Sequence, residues 1–209
     1  MEFVTIEANI QAEIVEKKSK FIANLIKVES AEEAEEAIKE IRKKYHDARH
    51  NCIAYRIIEN NQIIEKLSDD GEPSGTAGAP MLNILQKNNL ANVLIVVTRY
   101  FGGILLGTGG LVRAYSDSLL KAIEESTKIE KCEGLELLVT LDYNEFDNFK
   151  YYCKNNKIFI VNVEYLQNVQ CIIHAEEDKK EKLLRDFETK NIILKNVKEI
   201  AKKIITKSE

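Results

Sequence analysis

Short apolar or alternating segments fill the first half of the chain and predict a series of β-strands. Polar residues separate these segments at intervals that suit turns or helices. The unbroken apolar run Val93–Val97 is typical of a buried central strand. The predicted strands are Phe3–Ala8, Ala12–Glu16, Lys20–Val28, Cys52–Ile58 and Val93–Val97.

Helical spacing of apolar residues predicts three helices in the same part of the chain. Ser30 and Glu33 form a capping box that begins the first helix, which extends to about Tyr45. A short second helix is predicted over Met81–Gln86, beside Pro80. The third helix covers Leu111–Glu125, and its apolar face comprises Leu111, Tyr115, Leu119 and Ile123.

The last third of the chain has a different order of elements. After Gly134, the pattern predicts strand, helix, two strands, helix and strand, which is the ferredoxin-like βαββαβ order. The predicted elements are Leu135–Leu141, Asn144–Lys154, Ile158–Leu166, Val169–Ala175, Lys179–Thr189 and Glu199–Ile205. We therefore expect an α+β protein of two domains, residues 1–133 and 134–209. The first is expected to be of βαβ type, with a mixed sheet packed on helices.

Composition places the chain among ordinary globular proteins. The 209 residues are 44% hydrophobic and 31% charged, with a net charge of −4, so broad coating of nucleic acid is not expected. No apolar run is long enough for a membrane span, and Met1–Ile10 lacks the features of a signal peptide. The four cysteines form no CxxC pair, which favours free thiols in the cytoplasm.

Glycine is concentrated in one part of the chain. Eight of the nine glycines lie between Gly71 and Gly110, with both prolines, and Gly134 is the ninth. Glycine permits positive φ angles and the close approach of another backbone or a ligand. This region is therefore the first candidate for a functional site.

The segment Asp69–Pro80 is a predicted loop. Asp69, Asp70 and Glu72 could together hold a divalent cation such as Mg²⁺. They could equally form a solvated turn in which the aspartates bind their own backbone. Ser74 and Thr76 have no general base nearby in the sequence, which argues against a nucleophile.

The segment Thr98–Tyr115 runs from a buried strand through glycines into a helix. A helix N-terminus presents free N–H groups, which an anion can approach closely across glycine. Thr108 is a candidate cap, and Arg99 and Arg113 could hold an anion between them. Tight packing of strand and helix explains the glycines equally well. The candidate anion-binding residues are Arg99, Gly102, Gly103, Gly107, Thr108, Gly109, Gly110 and Arg113.

Other polar and aromatic residues complete the set of candidates. Lys20 could extend an anion site, and His50 would share a helix face with His46 if the first helix continued that far, although no metal site is expected. Tyr100 and Phe101 could stack on bases if exposed. Tyr115 lies on the apolar helix face and is expected in the core.

These residues give the chain a resemblance to the YigZ/IMPACT family. The matching stretches are Lys17–Ile22, His50–Tyr55, Ser68–Gly78 and Thr98–Tyr115. The resemblance implies an N-terminal domain like the second domain of a small-subunit ribosomal protein, and a C-terminal domain like the ferredoxin-like domains of elongation factor G. A eukaryotic relative regulates translation, and that role does not carry over directly; what the resemblance implies is association with RNA or the ribosome. Some members carry the label proline dipeptidase, but the metal-binding residues for that chemistry are missing here.

Three hypotheses on function follow. The favoured one is a non-enzymatic RNA- or ribosome-binding protein in translation control, without a cofactor. The second is a Mg²⁺-dependent enzyme or binder of a phosphorylated small molecule or nucleotide. The third is a protein-interaction module in which the glycines serve packing alone.

Overall fold

The computed structural model of the protein describes residues 1–59 and 62–207. These residues form two compact units: Phe3–Ile129, and the chain from Glu130 onward together with Met1–Glu2. Both units combine helices with antiparallel strands, so the predicted α+β class is confirmed.

The first unit contains six strands and three helices among the described residues. Most predicted elements are present within a few residues of their expected bounds, whereas β5 is not among the predicted strands. The elements are β1 (Glu2–Ile6), β2 (Ile10–Glu16), β3 (Ser19–Lys27), α1 (Ala31–Lys44), β4 (His50–Glu59), β5 (Gln62–Ser68), α2 (Gly78–Lys87), β6 (Val93–Tyr100) and α3 (Gly107–Glu124).

The sheet of this unit has the strand order β2-β3-β6-β4-β5. A mixed sheet was expected, but each neighbouring pair is antiparallel. The physical reason lies in the position of β6. Strands β3 and β4 are parallel to each other and are joined through α1, but β6 lies between them and is antiparallel to both. The expected βαβ unit is therefore split by an inserted strand.

Helices cover both faces of this sheet. Successive residues of β6 point to opposite sides, as a strand requires. Val93, Ile95 and Val97 pack into the core formed with α2 and α3. Leu94 and Val96 pack into the core formed with α1. Burial of β6 on both faces accounts for its unbroken apolar run. The strand also fixes the position of Arg99, which lies near its end.

The second unit has the expected βαββαβ order. In its sheet β7 pairs with β10 and β9, β9 pairs with β8, and each of these pairs is antiparallel. Two helices pack on one face. The elements are β7 (Lys128–Leu141), a single 3₁₀ turn (Tyr143–Glu145), α4 (Phe146–Asn155), β8 (Phe159–Tyr165), β9 (Val169–Ala175), α5 (Glu177–Glu188) and β10 (Asn196–Thr206).

Gly134 lies inside β7. A Cβ atom at this position would come within 2.2 Å of Ile205 Cδ1 and 3.0 Å of the Ala175 carbonyl oxygen. Close packing of β7 against β9 and β10 therefore accounts for this glycine. None of the helices formed by the described residues is long and apolar enough to span a membrane.

We predict that Ser30→Ala destabilises the first unit by about 1 kcal/mol, because α1 loses its N-cap. The Ser30 Oγ accepts a hydrogen bond from the Glu33 backbone N–H at 3.1 Å, and the Glu33 carboxylate accepts one from the Glu29 N–H at 2.8 Å. Urea unfolding measures the change. Ser30→Asp keeps a capping acceptor and is the control; equal losses in both variants would contradict the capping role.

Candidate anion-binding site

The candidate site lies where β6 ends and α3 begins. The helix begins at Gly107 and not at Leu111, so the predicted start was four residues late. Leu106 and Leu111 are both anchored in the core, which holds the glycines in a helical turn that their propensity disfavours. We call Gly107–Gly110 the glycine turn.

Thr108 does not cap this helix, so that prediction was wrong. The N-cap residue is Leu106, and no side chain makes a capping hydrogen bond. Thr108 is exposed and lies one residue inside the helix because the helix begins earlier than its glycines suggest. The first N–H groups of a helix have no partners within it. The glycine turn therefore presents uncapped donors at the positive end of the helix dipole.

Arg99 is held in a buried ion pair with Glu72. The Arg99 NH1 group donates to Glu72 Oε1 at 2.7 Å, and the two residues are only 6% and 9% exposed. The Tyr115 hydroxyl donates to the same oxygen at 2.8 Å. Arg99 NH2 lies 3.5 Å from Ser19 Oγ. The charge of Arg99 is thus largely balanced inside the protein by Glu72.

The remaining members of this buried network are not reactive groups. Tyr115 packs edge-on against Phe21, as expected for a core aromatic. Cys52 Sγ lies 3.3 Å from the Tyr115 hydroxyl. Burial raises the pKa of Cys52 to about 12, and burial also raises the pKa of Tyr115. Both groups stay protonated at neutral pH, which argues against a thiolate nucleophile.

Asp69 organises the loop before α2. Its carboxylate accepts hydrogen bonds from the backbone N–H groups of Gly75, Ala77 and Gly78 at 2.8 to 2.9 Å. Burial acts to raise the pKa of Asp69, but these three N–H groups outweigh it and lower the pKa below its usual value. Asp69 therefore caps the start of α2 from a distant point in the loop.

Asp70 joins the same loop to the neighbouring strand and helix. Its carboxylate accepts from the Asn51 backbone N–H at 2.7 Å and from Arg42 at 3.1 Å. Its carbonyl oxygen lies 2.8 Å from His50 Nδ1, which must be the donor because a carbonyl only accepts. Each of the three loop carboxylates thus binds its own set of donors. Among residues 1–59 and 62–207, no group of His, Cys, Asp and Glu has the geometry of a metal site.

The other secondary candidates are dispersed. Thr76 is buried and donates to the Pro73 carbonyl at 2.7 Å, whereas Ser74 is exposed. Lys20 pairs with Glu13 at 2.6 Å. Helix α1 ends at Lys44 and His50 belongs to β4, so His46 and His50 do not share a helix face.

Different physical constraints account for the glycines of the segment Thr98–Tyr115. A Cβ on Gly102 would lie 2.0 Å from the Lys18 carbonyl carbon, so only glycine fits there. Gly103 and Gly107 have φ angles of 84° and 72°, which other residues rarely adopt. A Cβ on Gly110 would come within 3.0 Å of Leu106 Cβ.

Neither close packing nor a positive φ angle accounts for Gly109. Its φ angle is not positive, and a Cβ would meet nothing within 4 Å. Glycine costs roughly 0.5–1 kcal/mol relative to alanine inside a helix. The fold of the described residues therefore gives no reason for glycine at this position.

A groove opens on one side of the glycine turn. It has a volume of about 420 Å³ and we call it the aromatic groove. Phe101 and Leu105, which are 51% and 82% exposed, line it on the loop before α3. The remaining lining residues are Arg49, His50, Gly71, Glu72, Pro73, Arg99, Leu106, Gly107, Thr108 and Leu111.

Arg49 is a candidate that the sequence analysis missed. It is exposed in the aromatic groove and has no ion-pair partner among the described residues. Its neighbour His50 drew attention, but nothing in the sequence places the start of β4 beside the start of α3. Only the sheet order brings Arg49 to the glycine turn.

A second, smaller cleft lies on the other side of the glycine turn. It has a volume of about 230 Å³ and we call it the polar cleft. Lys17 and Arg113 line it, together with the acidic residues Glu16 and Asp117. Leu106 lines both openings, while Arg99 and Arg113 line different ones. The structure therefore does not bring these two arginines together in one groove.

Lys17 is presented by a tight hairpin turn between β2 and β3. Glu16 pairs with Ser19, and the two central residues, Lys17 and Lys18, have φ angles of 45° and 65°. This geometry favours Asn-Gly, and lysine adopts it at a cost. Gly102 packs against the Lys18 carbonyl, which fixes the turn beside α3.

Comparison with known proteins identifies the class to which this fold and site belong. Residues 17–123 match the model of the Impact N-terminal domain, and residues 139–188 match a domain of unknown function, DUF1949. The chain belongs to the IMPACT family. The resemblance seen in the motifs is thereby confirmed.

Two relatives and one solved structure are similar over most of their length. IMPACT family member YvyE of Bacillus subtilis is 39% identical over 84% of this chain and 80% of its own. IMPACT family member YigZ of Escherichia coli is 36% identical over 71% and 74%. The crystal structure of a hypothetical protein has a TM-score of 0.62 and 29% identity, covering 96% of this chain and 98% of its own.

We predict that Arg99→Ala destabilises the first unit by about 3–5 kcal/mol, because it leaves the Glu72 carboxylate buried without its cation. Arg113→Ala removes an exposed side chain and is expected to change stability by less than about 0.5 kcal/mol. Urea unfolding of both variants tests this. Similar stabilities would show that the buried pair contributes little.

The glycines give a second prediction, in which the sign of the stability change differs by position. Gly102→Ala and Gly107→Ala are expected to destabilise, through a backbone clash and a positive φ respectively. Gly109→Ala is expected to stabilise by about 0.4–1 kcal/mol, because alanine restricts the unfolded chain and fits the helix. Thermal unfolding measures all three. A destabilised Gly109→Ala variant would contradict an unstrained, open position.

Proposed function

We propose that this protein binds RNA through the glycine turn and acts in translation control without catalysis, most directly on the ribosome. The observation that carries the proposal is the uncapped, exposed start of α3 between two openings that contain cations. Arg49 lies in the aromatic groove, and Lys17 and Arg113 lie in the polar cleft beside Glu16 and Asp117. Phosphate groups bind readily at such a helix N-terminus.

The distribution of charge favours an extended polyanion over a single phosphate. The cations lie on both sides of Leu106, in different openings, so one small anion has no single position among them. A nucleic-acid backbone can cross the glycine turn and contact both sides. The overall charge of −4 means that binding depends on this local patch.

Gly109 supports the same interpretation. Its backbone faces open space and its side-chain position is exposed, which suits close approach of a phosphate to the helix N–H groups. Family membership directs the proposal towards translation. The resemblance of the motifs implies RNA or ribosome association.

A protein-interaction role is the second candidate, and one observation favours it. Leu105 is 82% exposed and Ile104 beside it is 43% exposed, which gives the loop before α3 an apolar tip. The geometry supports the Mg²⁺-dependent enzyme less well. Asp69, Asp70 and Glu72 each bind separate protein donors.

The test is co-sedimentation of the protein with bacterial ribosomes and total RNA at low and moderate salt. The variant Lys17→Gln/Arg49→Gln/Arg113→Gln is expected to lose most binding. For a single-stranded ligand, the salt dependence should fall by about 2 units of the log–log slope, at roughly 0.7 per phosphate contact. The matched control is Lys154→Gln/Lys182→Gln/Lys202→Gln, which removes three exposed cations of the second unit.

Equal losses in both triple variants would show nonspecific attraction and contradict the assigned site. Gly109→Ala provides an independent check, since we expect it to weaken binding while it raises stability. A mononucleotide that competes as well as an oligonucleotide would favour the small-molecule hypothesis. Absence of binding at both salt concentrations would overturn the proposal.

A further inference from the structure

The aromatic groove contains more than an anion site requires. Beside the glycine turn it presents a half-exposed aromatic ring, Phe101, and a strongly exposed leucine, Leu105. A phosphate needs neither of these. The groove therefore has a polar end, at Gly107 and Thr108, and an apolar end formed by the loop before α3.

The ring of Phe101 is backed by a cation. The guanidinium carbon of Arg99 lies 5.6 Å from the centre of the Phe101 ring and 5.5 Å from that of Phe21. Arg99 is itself fixed by Glu72. Phe101 is thus held in place from within while about half of its surface remains exposed. An exposed aromatic ring of this kind is a platform for stacking.

Arg99 contributes a buried, unsatisfied donor group to the wall of this groove. It is 94% buried and lines the groove, yet its Nε atom has no hydrogen-bond partner among the described residues. Buried N–H groups normally have a hydrogen-bond partner, so an unsatisfied one is unusual. This unsatisfied donor belongs to a residue that lines the groove, and the observation is independent of the uncapped helix.

We propose that the aromatic groove takes one unpaired nucleotide of a single-stranded RNA segment, with the base stacked on Phe101 and its phosphate at the glycine turn. This inference rests on the proposed function and specifies its ligand. A paired base in an A-form helix does not offer its face to a side chain, whereas an unpaired base does. A volume of about 420 Å³ is within the range of grooves that hold a small ligand.

The test is fluorescence anisotropy with two labelled probes, a single-stranded RNA oligonucleotide and the same strand in a blunt duplex. The variant Phe101→Leu keeps an apolar side chain but removes the aromatic face. We expect it to bind the single strand roughly 10- to 100-fold more weakly, with little change for the duplex. Phe101→Tyr keeps the ring and is expected to bind as the unchanged protein does.

Phe159→Leu is the matched control, because Phe159 is a comparably exposed aromatic of the second unit. Thermal unfolding of each variant verifies that the fold is intact. Tight single-strand binding that Phe101→Leu reduces and Phe159→Leu preserves supports the base platform.

Two other outcomes separate this inference from the proposed function. If single strand and duplex bind equally, and Phe101→Leu changes neither while Arg49→Gln weakens both, the base platform is wrong and RNA binding stands. If neither probe binds, the proposed function fails and the base platform with it.

Discussion

The buried ion pair between Glu72 and Arg99 joins the two glycine-bearing segments of the chain. Glu72 belongs to the loop after β5, and Arg99 lies near the end of β6. Tyr115 of α3 donates to the same carboxylate, so strand, loop and helix share one acceptor. A charge buried without its partner is strongly unfavourable. Because Glu72 and Arg99 both line the aromatic groove, loss of either partner is expected to destabilise its wall.

The same ion pair changes what Arg99 can do for a ligand. The sequence analysis placed Arg99 among the candidate anion-binding residues. In the structure its charge is largely balanced by Glu72 inside the protein. It still lines the groove, where its guanidinium carbon lies 5.6 Å from the centre of the Phe101 ring. The exposed positive charge comes from Arg49, Lys17 and Arg113, which have no such partner among the described residues.

The glycine-rich region combines two kinds of constraint that sequence alone does not separate. Gly102 is required because the β2–β3 hairpin packs directly on it, and Gly107 because of its positive φ. Gly109 satisfies neither need. Under the proposed function, stability and ligand access make opposite demands within one helical turn, as is common where a binding site is built into a fold.

By itself the sequence determined the α+β class, the βαββαβ order of the second unit and the capped start of α1. These features depend on local periodicity and on side chains within a few residues of one another. It also marked the glycine-rich region. Tertiary structure alone decided that β6 lies between β3 and β4, that Arg99 is paired, and that Arg49 reaches the glycine turn. Those outcomes depend on contacts between residues far apart in the chain, whose identity no local pattern encodes.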